Sequence, residues 1–487
     1  MKIRRILGLL LCVLLMGNLL VGCAKGTEKA AEETAVTGAA KATEGTATTE
    51  AEKEVAKEPV TIRIGFWPPD DRTEEIAMWE EYKKTCEEMY PYITVVPDHY
   101  DYDEDTFMPM ALAGETPTIF QAWLTEPQKL IAGGYVADIT DVVKSYKYDT
   151  QIQPNFMDIV TKDGKIYGLP SDGYGLGLAI NLNIFKEAGL IDAAGLPMYP
   201  KTYDELMETC KIIKEKTGKA GLYVPTSSNN GGWIFTQTAW EFGAKFEIQE
   251  GDKWTSNIDS PEVLAALKYL HDLKFKYDVL LPDALLGWDE WIQNIGMDNV
   301  AMVVAAGDCI NFPIRSFDMN KDALALAPIP AGPGGQFSLT GGKTYMFAAD
   351  TTPEEVDACI KFLEIIGYTP NVTDAVTASW ENTWSTRKAD GELVGPGPIN
   401  VWTNPERIAA EQVIIDKYTN CNMALFSPYY DATSKILRPE EPIMTQDLYS
   451  ILDQVIQGAF ADENADLSAI LKDADETFQK DFLDTLE

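Results

Sequence analysis

Two histidines in 487 residues leave little room for imidazole chemistry. His99 and His271 stand outside any HExxH-like pattern, and no GxSxG turn accompanies them. Neither a zinc hydrolase nor a Ser-His-Asp enzyme has its elements here. No GxxxxGK[ST] loop is present to cradle a phosphate. Cysteine is sparse as well, seven in all, with no CxxC. Cys86, Cys210, Cys309, Cys359 and Cys421 lie far apart, giving neither a zinc site nor a disulfide framework. They read as small buried hydrophobes, with one unassigned disulfide left open; no metal and no cofactor is expected. Positive charge is short too: 40 Lys and Arg face 76 Asp and Glu, for a formal net charge of −36. So acidic a chain argues against nucleic acid and disfavours phosphate, sulfate or nucleotide ligands. Beyond the first two dozen residues no stretch has the length and apolarity of a membrane-crossing helix.

What is present begins with an address. Lys2, Arg4 and Arg5 precede a mostly apolar run from Ile6 to Leu20, which leads into Val21-Gly22-Cys23. This reads as a secretory signal over residues 1–22, and a cysteine directly after the small residue resembles the bacterial lipobox. Cys23 is therefore the expected lipidation site and membrane anchor; an uncleaved leader would leave the body on the same, extracytoplasmic side. Residues 23–58 are built largely from Ala, Thr, Glu, Lys and Gly, without an aromatic residue. Such a stretch buries too little surface to offset its ordering entropy and is expected to be a disordered tether, although a helical spacer also fits its composition.

The remaining ~430 residues exceed what one hydrophobic core serves, so two lobes are expected. Val60, Ile62, Ile64 and Phe66 alternate as in a strand, and Pro68-Pro69-Asp70-Asp71 ends it. Ile76, Trp79, Cys86 and Met89 then recur at helical spacing, with Asp71 or Thr73 as N-cap. Residues 93–96 form a second strand and residues 118–123 a third. This β-α-β-α rhythm predicts an α/β fold with a parallel, doubly wound sheet, in which ligands sit beyond the carboxyl ends of the strands. Trp67 and Trp123 stand at two of those ends.

Further on, KDGKIYGLP (residues 162–170), AINLNIFKEAGL (179–190), PKTYDEL (200–206), VAM (300–302) and APIPAGPGG (327–335) follow one another. In this order and spacing they resemble the family 1 extracellular solute-binding proteins, the maltose-binding-protein-like receptors of ABC importers. Ile180 stands where the family usually has Tyr, and residues 368–440 match less clearly. The resemblance implies a periplasmic-binding-protein-like fold of two α/β lobes, each a doubly wound sheet with flanking helices, closing over a ligand in the cleft between them. The lobes are expected over 59–172 with 328–378, and 173–327 with 379–487. The chain would cross near residues 172–176, 324–328 and 370–380. It implies no enzyme activity, a carbohydrate as ligand, and a transmembrane permease as partner.

A sugar cleft needs aromatic platforms for C–H faces and carboxylates or amides for hydroxyls. Trp67, Asp70 and Asp71 follow the first strand; Gln121, Trp123, Thr125 and Glu126 follow the third. Asp172 and Tyr174 follow the family hairpin, and Tyr174 falls on a ligand-contacting position of the family. Asn229, Asn230 and Trp233 follow a strand, with Trp233 at the family's stacking aromatic. Asp308 replaces an aromatic that relatives often carry, and Trp380, Glu381 and Trp384 fall where the last hinge segment opens. Each has a plainer reading. Tryptophan is more often core than platform, Asp70 and Asp71 otherwise only cap a helix, and Asp308 is otherwise a loop carboxylate. Trp79 and Trp240 read as packing, Trp288 and Trp291 as cleft borders at most, and Lys343 as solvated. A polyamine or peptide receptor fits the same residue types. A secreted glycoside hydrolase would need a carboxylate pair at fixed separation, which no motif supports.

Overall fold

A computed structural model describes residues 57–486, apart from Asp71, Asp252, Ala284, Gly397 and Pro398. The leader, Cys23, nearly all of the tether and Asp71 thus lie outside the described residues. Alternation buries Ile62 and Ile64 of β1 (Val60–Ile64) completely. On either side, β2 (Ile93–Pro97) and β3 (Ile119–Trp123) run parallel to it. A short hairpin, β4 (Thr161–Lys162) and β5 (Lys165–Ile166), turns at Asp163-Gly164, a favoured pair for a two-residue connection. It delivers the chain into β6 (Gly168–Asn181), 14 residues long. Thr202 and Thr352 accept backbone N–H groups at the starts of helices Tyr203–Thr217 and Pro353–Ile365, as Thr at an N-cap does.

The second half of the sheet is formed by β7 (Ala220–Tyr223), β10 (Val300–Ala306) and β11 (Leu324–Pro328), while β8 (Glu247–Glu250) and β9 (Lys253–Ser256) make a separate hairpin. Together with β12 (Ser338–Phe347) the order is β2-β1-β3-β12-β6-β10-β7; β11 lies beside β6, and β13 (Leu437–Pro439) beside β12. The expected parallel sheet is therefore mixed. β1, β2 and β3 are parallel, as are β7 and β10 and β12 and β13, but β6 runs antiparallel to β10, β11 and β12, and β12 to β3. Both halves are covered on both faces.

β6 and β12 each serve two cores. Leu169, Tyr345 and Phe347 pack with Ile62 and Ile64 in the first. Leu176, Leu178, Ile180 and Leu339 pack in the second, with helices Asn230–Glu241 and Thr445–Ala461. The structure differs here from the passage expected near 324–328. β11 pairs along its whole length with the second half of β6, and the chain instead changes core within β12. Gly342 marks the place: its φ of 144° and its closeness to the Asp172 carbonyl leave no room for a side chain. A register shift follows between Lys343 and Thr344. Nor do residues 379–487 stay on one side, since Val401 and Trp402 pack into the first core. Helices Asp374–Ala389 and Pro405–Tyr418 form a small core of their own around Val376, Trp380, Trp384, Val394 and Ile414. The first helix, Thr73–Met89, has Arg72 at its cap position and no side-chain cap, so Asp70 and Thr73 do not fill that role. Cys86, Cys210, Cys309 and Cys359 are buried free thiols, and Cys421 is half-buried and free.

Candidate ligand-binding site

Between the two cores lies a cavity of about 860 Å³, well within the range of small-molecule sites. Its walls come from strand ends and helix starts. Trp123 and Thr125 follow β3, Asp172 to Tyr174 belong to β6, and Gly342 and Lys343 to β12. Ser228, Asn229, Asn230 and Trp233 lead into helix Asn230–Glu241. Trp288 opens the next wall, Ala306, Asp308, Cys309 and Phe312 follow β10, and Glu440, Gln446 and Tyr449 come from the C-terminal region.

One wall is aromatic. Tyr174 meets Trp233 edge-on at 6.1 Å between ring centroids, Trp233 lies 6.0 Å from Trp288, and Trp288 lies 6.3 Å from Phe312. Trp123, 38% exposed, is braced edge-on by Tyr102 at 5.5 Å. Interlocked rings hold one another's orientation and leave faces for a ligand's C–H surface.

The polar groups include three carboxylates. Asp172 accepts the Lys343 backbone N–H at 2.9 Å. Burial raises its pKa, and the Asp308 charge adds to this. Burial also raises Asp308. Glu440 accepts from the Tyr449 hydroxyl at 2.9 Å; burial, reinforced by the Glu126 carboxylate, pushes it up to about 8. At neutral pH it therefore carries a proton that it can donate. The start of helix Asn230–Glu241 is already occupied: Asp453 accepts from Asn229 N–H at 2.7 Å and Gly232 N–H at 2.8 Å. With a carboxylate on its positive end, that helix offers nothing to an anionic ligand. Among the described residues no group of three or more His, Cys, Asp or Glu could hold a metal ion, and no helix is long and apolar enough to cross a membrane.

Of the residues singled out in the sequence, Trp123, Asp172, Tyr174, Asn230, Trp233 and Asp308 line this cavity. Others lie elsewhere. Trp67 is 5% exposed and packs in the first core, edge-on to Trp79 at 5.2 Å and stacked on Phe362 at 6.5 Å. The strand does not release it into a cleft, because its N–H continues to pair with Asp98 O at 3.1 Å. Asp70 is exposed outside the cavity. Gln121 is half-buried and donates to Ser171 Oγ at 3.4 Å. Trp380 and Trp384 pack in the small helical core. Glu381 binds Lys417 at 2.7 Å and the Tyr418 hydroxyl at 2.5 Å, contacts that lower its pKa. Trp288 lines the cavity rather than only bordering it, and so does Lys343.

Ser228, Cys309, Phe312, Glu440, Gln446 and Tyr449 were not legible. The last three reach the cavity from a stretch whose motifs are weak, through the contact of helix Thr445–Ala461 with helix Asn230–Glu241. The one local signal was the dipeptide Glu440-Glu441 just ahead of an apolar helical repeat.

The family model described as bacterial extracellular solute-binding protein matches residues 77–389. An arabinooligosaccharide-binding protein of Halalkalibacterium halodurans is 26% identical over 204 residues, 41% of this chain and 43% of that protein. A diacetylchitobiose binding protein of Streptomyces coelicolor is 28% identical over 158 residues, 32% of this chain and 34% of that protein. The chain thus aligns with less than half the length of these two relatives. The solved solute binding protein of an ABC transporter from Thermotoga lettingae, bound with alpha-D-tagatose, superposes with a TM-score of 0.63 at 21% identity, covering 87% of this chain and 99% of that one. That likeness shows the fold, two α/β lobes of the periplasmic-binding-protein type. With a family match over more than half of its length and this fold, the chain belongs to the bacterial extracellular solute-binding proteins.

Proposed function

We propose that this protein is a lipid-anchored, extracytoplasmic receptor of an ABC importer that captures an oligosaccharide in the cavity and hands it to the permease after the lobes close. The observation that carries this reading is the aromatic wall Tyr174–Trp233–Trp288–Phe312, with Asp172 and Asp308 lining the same cavity. Flat apolar faces beside hydrogen-bond acceptors suit a molecule with C–H faces and many hydroxyl donors. The relatives named for arabinooligosaccharide and diacetylchitobiose binding support a sugar as ligand. The acidic lining and the filled helix terminus weigh against anions. Cys23, directly after Gly22, supports the anchor.

Tryptophan fluorescence and calorimetry of the mature protein against arabino-, chito- and malto-oligosaccharides test the ligand class. Saturable binding of at least one series is expected. A response to polyamines or peptides alone would replace the sugar reading by the second one that Asp172 and Asp308 favour, a cationic solute held among aromatic rings. Sugar cleavage on prolonged incubation would make the protein a hydrolase instead. For the anchor, Cys23→Ala should abolish incorporation of labelled fatty acid into the protein; unchanged incorporation refutes lipidation there.

A further inference from the structure

A second chamber, of about 410 Å³, touches the ligand cavity at Asp172, which lines both. The partition is thin: the Ile399 N–H donates to Gly173 O at 3.0 Å, fastening the far wall to β6 beside Asp172. That wall is built by the two helices Asp374–Ala389 and Pro405–Tyr418, which pack around their own small core rather than being buried in either main one.

The lining repeats the chemistry of the main cavity in a different set of residues. Trp384, Trp402 and Tyr430 supply aromatic surface, and Asn400, Arg407 and Gln412 supply polar groups. Arg407 is the anchor of this set. Its side chain is 8% exposed. Nε donates to Thr369 O at 2.8 Å and Nη1 to Glu411 Oε2 at 3.0 Å, while the guanidinium lies 4.9 Å from the Trp380 ring and 5.7 Å from that of Trp402. Nη2 makes no such hydrogen bond among the described residues. Donors left over on a guanidinium that lines the chamber can serve an acceptor-rich molecule there.

We propose that the chamber beside Asp172 is an extension of the ligand site, taking the further sugar units of an oligosaccharide whose first units lie against Trp233. This rests on the oligosaccharide reading above. It assigns to Trp384 and Arg407 a role in selecting chain length, and it makes Asp172 the residue past which the ligand threads.

The test is an affinity ladder, from disaccharide to hexasaccharide of whichever series binds, read by calorimetry on three proteins: unaltered, Gln412→Trp and Ile408→Trp. Gln412 and Ile408 are exposed lining residues, so a larger ring there fills the chamber without disturbing a core. In the unaltered protein affinity should climb with length beyond what the main cavity holds. In both variants the longer ligands should lose about tenfold or more, roughly 1.4 kcal/mol per factor of ten, while the shortest stay within about twofold. Equal affinities of short and long ligands for the unaltered protein, or long-ligand affinities untouched in both variants, overturn the extension alone. If no oligosaccharide binds the unaltered protein, the receptor reading itself falls, and the extension with it.

Discussion

Trp233 touches both Tyr174 and Trp288, so its removal strips the centre of the aromatic wall while the second core keeps its other members. Trp233→Ala should weaken ligand binding at least about tenfold, roughly 1.4 kcal/mol, with an unchanged circular dichroism spectrum; unchanged affinity removes it from the site. Glu440 permits a pH prediction. Its pKa is raised from 4.5 to about 8, so the folded protein holds a proton that the unfolded chain has lost throughout that interval. Stability therefore falls as pH rises from about 4.5 to about 8 and levels off above. Glu440→Gln should leave the melting temperature near pH 4.5 unchanged and raise it at pH 8 by roughly 2–4 °C; equal effects at both values would refute the assignment. At this scale the sequence was informative only where a residue's neighbours were local. Tyr174 and Trp233 follow recognisable motifs. Trp67 stands at a strand end just as Trp123 does, yet the Phe362 ring it stacks on lies nearly 300 residues away; only Trp79 among its ring neighbours is close in sequence.

Helices Asn230–Glu241 and Thr445–Ala461 are pressed together where they border the cavity. A methyl group on Gly232 would run into the backbone of Tyr449, a ligand-cavity residue itself. Gly232→Ala should therefore cost about 1–3 kcal/mol in denaturant unfolding, and it should weaken binding as well by displacing Tyr449. A loss of stability with binding intact would show that Tyr449 does not contact the ligand. Asp453→Ala, which frees the Asn229 and Gly232 N–H groups, should cost about 1–3 kcal/mol too. Local chemistry made several elements readable: the Asp163-Gly164 hairpin, the helix start at Thr202 and the alternation in β1 are all short-range signals. The crossing was not readable in that way. Only pairing shows that β11 stays with β6 on one side while β12 passes between cores at Gly342.

Across the whole molecule, Gln446 Nε2 reaches Thr125 Oγ1 at 3.3 Å and Lys129 lies 3.9 Å from Asp447, contacts made from the second core's helix to the segment after β3. Small-angle scattering should show a smaller radius of gyration on adding saturating ligand, as closure of a two-lobed clamp requires; no change would mean that binding does not close the lobes. Two lobes interleaved in sequence followed from length and family motifs, whereas the crossing within β12 and the return of Val401 and Trp402 to the first core did not. That interleaving bears on how the protein is made. The first core draws residues from Ile62 to Trp402 and the second from Leu176 to Leu483, so neither can be completed by an emerging nascent chain until most or all of it is present. Export as an unstructured thread, followed by assembly on the far side of the membrane, would meet no half that had already set.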